Sequence, residues 1–401
     1  MFTQNQISQS IDLQQEGSWA SGNELRREIL PTVPVVNSYA TIITGLRRCG
    51  KSTLLKQLLK DNTENTLCLN FEDIRLAGFT VQDFIRLHDE IRRRKSKVLY
   101  FDEIQLVQKW EIFVHQLLRE GYQVFITGSN SSMLSRELGS HLTGRHLPVE
   151  LFPFSYNEFL QFKGSSRDAV TLTEYMNTGG IPEYVKSGSG MLLTRLLDDI
   201  LIRDVVARYG VRDVTSLRQL AVYLMSNVGC QVSATRLAGL YGIKSPATFL
   251  EYFSYLKDAY LIEMVPQFSY SIKAQSRNPK KIYAIDTGMA REVSAAFSEN
   301  TGRLLENLVY LHLRRNYSDI HYFKEKQECD FVVSEKGKVK QLVQVCSTLD
   351  DLNWEREYEG LLIAMQYFKL KQGTIVTLTQ SDKFTEKGYT VRLVPADEWI
   401  S

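Results

Sequence analysis

The sequence predicts an α/β fold in which a parallel sheet carries a phosphate-binding loop. Three observations predict it. TIITGLRRCGKSTLLKQLL, from Thr41 to Leu59, passes from an apolar strand through a loop with a glycine at each end into an amphipathic helix. KVLYFDEIQ (Lys97 to Gln105) is a second apolar strand, and it ends in two carboxylates. YQVFITGSN (Tyr122 to Asn130) is a third, apolar until Thr127 and polar after it.

The loop comes first. Gly45-Leu46-Arg47-Arg48-Cys49-Gly50-Lys51-Ser52 satisfies G-x-x-x-x-G-K-[ST]. The two glycines permit turns in which successive N–H groups face phosphate oxygens. Lys51 is placed to reach the β and γ phosphates, and Ser52 offers a hydroxyl to Mg2+. The helix that begins there points its positive end at the anion. The predicted nucleotide contacts are therefore Gly45, Leu46, Arg47, Arg48, Cys49, Gly50, Lys51, Ser52 and Thr53. Arg47 and Arg48 are either solvated or touch nucleotide or a neighbouring chain.

The acidic strand supplies the partner, expected on a strand neighbouring the loop. Asp102 at its carboxyl end is the predicted Mg2+ ligand with Ser52, and Glu103 the predicted group that polarises the attacking water. On the third strand, Ser129 or Asn130 either contacts the γ-phosphate or forms an ordinary strand-to-loop turn. Arg136 and Arg145 are either surface ion pairs or a guanidinium offered in trans, with Arg145 the preferred candidate. The predicted catalytic set is Lys51, Glu103, Asn130 and Arg145, and the predicted ligands are ATP and Mg2+. No Asn-Lys dipeptide and no L-S-G-G-Q occur, which disfavours a GTPase and an ABC transporter subunit.

Composition sets the outer bounds. The 401 residues suffice for roughly two to four domains. Basic and acidic residues nearly balance, 48 against 46, so net charge does not announce a nucleic-acid partner. Five scattered cysteines without a C-x-x-C point to a reducing cytoplasm. The start MFTQNQISQSIDLQQEG has no signal-peptide pattern, and no apolar run suits a membrane span. Its Gln/Ser content predicts a flexible arm.

With these motifs in place, the chain resembles the AAA+ superfamily, with Walker A as GLRRCGKS, Walker B as LYFDEIQ, then FITGSN and GRHLPVELFPFSYNEFL. More narrowly it resembles prokaryotic P-loop ATPases that carry a C-terminal domain of unknown function. GGIPEYV, ILIRDVVARYGVRD, KIYAIDTGMA and LLENLVYLHLRR are similar to that family's recurring blocks. The resemblance implies ATP hydrolysis, a helical lid over the nucleotide, and rings in many relatives.

Farther along, VSATRLAGLYGIKSPATFLEYFSYLKDAYLIEMVPQF reads as two helices and a strand. Ser233 caps the first helix, Gly242 allows the turn, and Ser245-Pro246 opens the second. Two strands around a basic loop (Lys273, Arg277, Lys280, Lys281) would form a wing. This winged helix serves either DNA or protein contacts. The last third resembles the restriction-endonuclease-like fold, with Glu306 on a helix and Asp330 at a strand start. Gln344 and Cys346 stand where that fold has Glu and Lys, so the domain is expected to be inactive. Lys338 and Lys340 either bind nucleic acid or belong to a solvated hairpin. A closing helix and two strands complete this layer.

The expected organisation is a flexible arm (1–25), a P-loop ATPase core (26–155), a helical lid (156–212), a winged helix-turn-helix (213–280) and a nuclease-like α/β domain (281–401). The expected function is Mg2+-dependent ATP hydrolysis coupled to a DNA- or protein-interaction module, with a protein client or a homo-oligomer as candidate partners. Two alternatives stand beside it, a nucleotide-switched DNA-binding protein with negligible hydrolysis and a Mg2+-dependent nuclease.

Overall fold

The run Ala40–Gly45 is buried at all six positions, as a strand covered on both faces must be. It is β1 of a parallel sheet with β2 (Thr66–Asn70), β3 (Val98–Asp102), β4 (Gln123–Gly128) and β5 (His146–Leu151), in the order β2-β3-β4-β1-β5. The computed structural model describes residues 1–17, 24–60, 65–129, 144–241, 245–294 and 300–400. The chain divides into two units, Met1–Phe152 and Pro153–Ser401.

In the first unit, α2 (Lys51–Lys60), α3 (Asp83–Arg93) and α4 (Trp110–Arg119) complete the crossovers that parallel strands require. Contrary to expectation, the acidic strand β3 is not β1's neighbour; after α4 the chain inserts β4 between β1 and β3. All strands run the same way, so their carboxyl ends share one edge. Gly45, Asn70, Asp102 and Thr127 lie along it.

The expected flexible arm is instead helix α1 (Gln4–Glu16). Thr3 and Gln6 form a reciprocal capping box at its start. Ile7 and Ile11, one turn apart, enter the core beside Leu87 and Ile91 of α3. Gln14 lies at the sheet's edge, with Nε2 donating to Asn70 O at 3.1 Å and Oε1 accepting Asn70 N–H at 2.7 Å. Polar composition concealed an amphipathic helix with a narrow apolar stripe.

The second unit begins with helices Tyr156–Lys163, Ala169–Thr178, Pro182–Ser187 and Gly190–Asp199, the last continuing into wider π-type turns over Ile200–Val206. Helix Val214–Ser226 follows, then helices Ala234–Tyr241 and Pro246–Asp258. The latter buries Phe249, Tyr252, Phe253 and Leu256 on one face. Strands β6 (Gln231–Val232), β7 (Ile262–Pro266) and β8 (Lys280–Ala284) pair antiparallel in the order β6-β8-β7. The expected loop between β7 and β8 carries a short helix, Ile272–Arg277.

A mixed sheet closes the chain: β9 (Asp319–Lys324), β10 (Glu328–Glu335), β11 (Lys338–Val345), β12 (Gln372–Thr377), β13 (Asp382–Glu386) and β14 (Tyr389–Pro395). The expected two last strands are three. β13 pairs only with β14 and is largely exposed, so burial imprints no apolar pattern on it.

GGIPEYV and KIYAIDTGMA, 106 residues apart at their contact, pack on one another. Asp286 Oδ2 accepts Gly180 N–H at 2.7 Å, and Oδ1 accepts Met289 N–H at 2.8 Å, capping helix Thr287–Val293. The approach is tight: a Cβ on Gly288 would lie 1.9 Å from Thr178 O, and one on Gly180 2.3 Å from Phe154 O. Burial pushes the Asp286 carboxyl up to about 6 despite its hydrogen bonds.

Candidate functional site

The loop between β1 and α2 needs its glycines. Gly45 has φ +150° and Gly50 φ +101°. A Cβ on Gly45 would lie 2.1 Å from Leu151 O. Lys51 is buried, and its Nζ folds over the loop, donating to Leu46 O at 2.9 Å and Gly45 O at 3.1 Å. Those carbonyls hold the ammonium over the loop. Cys49 is buried and its Sγ donates to Leu151 O at 3.3 Å; burial raises the thiol's pKa. Arg47 Nη1 is 3.8 Å from Glu72, and Arg48 adopts a left-handed backbone.

Asp102 joins loop and sheet. Its Oδ2 accepts from Ser52 Oγ at 2.8 Å and from Asn70 Nδ2 at 3.2 Å. Its Oδ1 accepts from Thr127 Oγ1 on the adjacent strand β4. Asp102 is almost wholly buried, and burial raises its carboxyl while the Thr127 and Ser52 hydrogen bonds and Lys51 oppose. Glu103, at the next position, has a left-handed backbone (φ 55°). Its N–H donates to Thr127 Oγ1 at 3.2 Å, and Gln105 Nε2 donates to its carboxylate. Burial pushes Glu103 up to about 7, opposed chiefly by Lys51. Desolvation thus brings an acid–base group into the neutral range.

Loop, Ser52, Asp102 and Glu103 are therefore brought together. Arg145 is not brought to them. It is exposed, and its carbonyl accepts Ala40 N–H at the start of β1, whereas the loop leaves the other end. Five residues of strand separate those ends, about 16 Å. Asn130 and Arg136 lie outside the described residues, as do Gly242 and Lys244. Sequence reading missed Thr127 and Asn70. Both are polar residues at strand carboxyl ends, which was the available signal.

A second polar constellation lies in the C-terminal unit. Lys281, expected in a basic wing, is instead buried, its side chain 3% exposed. Its Nζ contacts Asp330 at 2.7 Å, Glu328 at 2.8 Å and Glu306 at 2.9 Å. The cause is strand alternation: Lys281 and Tyr283 share a face of β8, and Tyr283 OH also donates to Glu306, at 2.7 Å. Lys280 is half-buried and donates to Ser276 O at 3.2 Å. Burial pushes Glu306 up to about 7, with Lys281 opposing. Gln344 accepts Asp330 N–H at 3.1 Å and donates to Glu357 at 2.6 Å. Burial pushes the Cys346 thiol up to about 12. Lys281, Glu306, Glu328, Asp330, Gln344, Cys346 and Glu357 line a cavity of about 760 Å³. Lys338 and Lys340 are exposed on β11.

Two family models match stretches of this chain. Residues 37–160 match the AAA domain family, and residues 170–300 match a domain of unknown function, DUF8612. The uncharacterized protein MJ1544 of Methanocaldococcus jannaschii is 34% identical over 399 residues, covering 92% of this chain and 89% of the relative. An uncharacterized protein of Haemophilus influenzae is 29% identical over 361 residues, covering 82% and 90%. Among solved structures, Cdc6p from Pyrobaculum aerophilum is 13% identical with TM-score 0.27 over 72% of this chain and 92% of that one. PCH-2 of C. elegans is 14% identical with TM-score 0.25 over 55% and 62%. Among the described residues no helix is long and apolar enough to cross a membrane.

Proposed function

We propose that this chain, which belongs to one family with the uncharacterized protein MJ1544 of Methanocaldococcus jannaschii and matches the AAA domain family over residues 37–160, binds ATP at Gly45–Thr53 and hydrolyses it with Mg2+. One observation carries this reading: Ser52 Oγ and Asp102 Oδ2 meet at 2.8 Å beside a loop folded around the Lys51 ammonium. That oxygen pair suits a hard cation, which usually takes one or two protein oxygens beside water and phosphate. Mg2+, when bound, would neutralise charge on the phosphates.

The chain's own residues divide the remaining work. Loop N–H groups and Lys51 bind and orient the phosphates. Asn70 and Thr127 hold the Asp102 carboxylate in place. Glu103 accepts the proton of the attacking water as its oxygen bonds to the γ-phosphorus and the bond to the leaving ADP oxygen breaks.

The downstream module is proposed to contact protein rather than DNA. The exposed face of helix Pro246–Asp258 presents Ala247, Leu250, Glu251 and Ser254, and its one lysine, Lys257, is 3.3 Å from Glu263. Such a face offers phosphates little. Lys281 is withdrawn into the carboxylate cluster, so the loop between β7 and β8 presents less positive charge than its sequence suggests. The same ammonium occupies the carboxylates that a metal-dependent nuclease would need free.

An ATPase assay on the full chain tests the proposal, with and without duplex DNA. Lys51→Ala should abolish MgATP binding. Glu103→Gln should retain binding and lower turnover by about a hundredfold or more. Wild-type turnover in Glu103→Gln defeats the catalytic assignment, and stimulation by DNA defeats the protein-contact reading.

A further inference from the structure

Three contacts hold the phosphate loop against the end of β5, and one buried cation stands among them. Gly45 packs against Leu151 O, and Cys49 Sγ donates to that same carbonyl. Arg27, 3% exposed, supplies the third. Its Nη1 donates to Cys49 O at 2.8 Å, and its Nη2 to Phe152 O at 2.7 Å. The residue is itself anchored from α2. Gln57 Oε1 accepts Arg27 N–H at 3.0 Å, and Gln57 Nε2 donates to Leu25 O at 2.7 Å.

The consequence follows from peptide geometry. In a planar trans peptide the C=O and the next N–H point in opposite directions. A guanidinium that fixes Cys49 C=O therefore turns Gly50 N–H away from Arg27. A Cβ on Gly50 would lie 3.1 Å from Arg27 Nη1, so the guanidinium also closes that side of the turn. The second arm of the fork ends on Phe152, the last residue of the N-terminal unit. Only a planar group with several fixed donors spans two carbonyls in this way; an ammonium binds as a point.

We propose that Arg27 is a positioning residue of the phosphate loop: it aims the Cys49–Gly50 peptide for an incoming phosphate and ties that orientation to the exit of the chain at Phe152. The identity of the phosphate ligand rests on the ATP reading above; the loop's orientation does not. The binding of a phosphate and the order of the 151–152 segment are then one equilibrium, seen from two ends.

Amide exchange by mass spectrometry on the full chain tests this, using wild type and Arg27→Lys, each with and without MgATP. Without nucleotide, the peptide over 46–52 should exchange faster in Arg27→Lys than in wild type. In wild type, MgATP should protect both that peptide and the one over 150–154. By calorimetry, Arg27→Lys should bind MgATP about tenfold more weakly than wild type. Arg27→Ala should recover affinity when guanidinium ion is added, which a general loss of packing would not allow. Equal loop exchange in the two proteins without nucleotide overturns the inference, as does protection that stops at the loop. Should Arg27→Ala not fold, wild type and Arg27→Lys decide. If wild type binds no MgATP while the nucleotide-free exchange still differs, the ATP proposal falls and the positioning role stands.

Discussion

Lys281→Met removes an ammonium and keeps most of the side chain's volume. In wild type three carboxylate oxygens lie 2.7–2.9 Å from Nζ, and the lysine side chain is 3% exposed. Removing one partner of a buried ion pair leaves charge uncompensated and costs about 3–5 kcal/mol. The cost should depend on pH. Burial raises Glu306 to about 7 even with Lys281 opposing, so loss of the lysine raises it further. A carboxyl whose folded pKa exceeds its unfolded value contributes stability that is full below the unfolded value of 4.5. That contribution is lost as pH rises through the folded value. The deficit should therefore be smaller near pH 5 than at pH 8 and should open chiefly above about 7, where Glu306 beside Lys281 has ionised and Glu306 without it still holds its proton. Urea unfolding followed by circular dichroism at several pH values measures this, with hydrogen exchange assigning the transition to the C-terminal unit. Adding Glu306→Gln should recover part of the loss, because it removes one of the stranded charges. A variant as stable as wild type at pH 7.5, or a deficit constant across this range, would refute the reasoning.

Two further outcomes test other links in the chain. If Glu103 takes the proton, ATP turnover should rise with pH to a plateau, with a midpoint near or below 7, because protonation removes the base and Mg2+ would favour its ionised form. Turnover that is level from pH 5 to 8 counts against Glu103 as the base. Ile11→Ala should destabilise the N-terminal unit by about 2–4 kcal/mol, since it opens a void against α3, and a change under about 0.5 kcal/mol in urea unfolding would remove α1 from the core.

The loop between β1 and α2 was legible because its constraints are local. Glycines, lysine and hydroxyl stand at fixed spacing within one turn, and the flanking strand and helix carry their own periodicities. Asp102 was legible for a similar reason, as a carboxylate at the end of a continuously apolar run. Strand order was not, since nothing in LYFDEIQ says that another strand will separate it from TIITG. Lys281 was misread because a run of cations in a loop-like stretch looks solvated. Its fate was decided by Glu306, Glu328 and Asp330, which lie 25 to 49 residues away. Arg27 gave no signal, for its guanidinium reaches main-chain carbonyls, which every sequence possesses. Helix α1 did offer a signal, Thr3 with Gln6 and Ile7 with Ile11, and composition outweighed it.

The junction of Gly180 with Asp286 bears on how this chain can be taken apart. A fragment that stops near residue 212 would leave the N–H of Gly180 without its acceptor, and one that starts near 281 would carry a buried carboxylate without the Gly180 donor. The stretches before and after the intervening hundred residues are halves of one buckle. A cut anywhere between those two stretches therefore parts groups that are buried against one another.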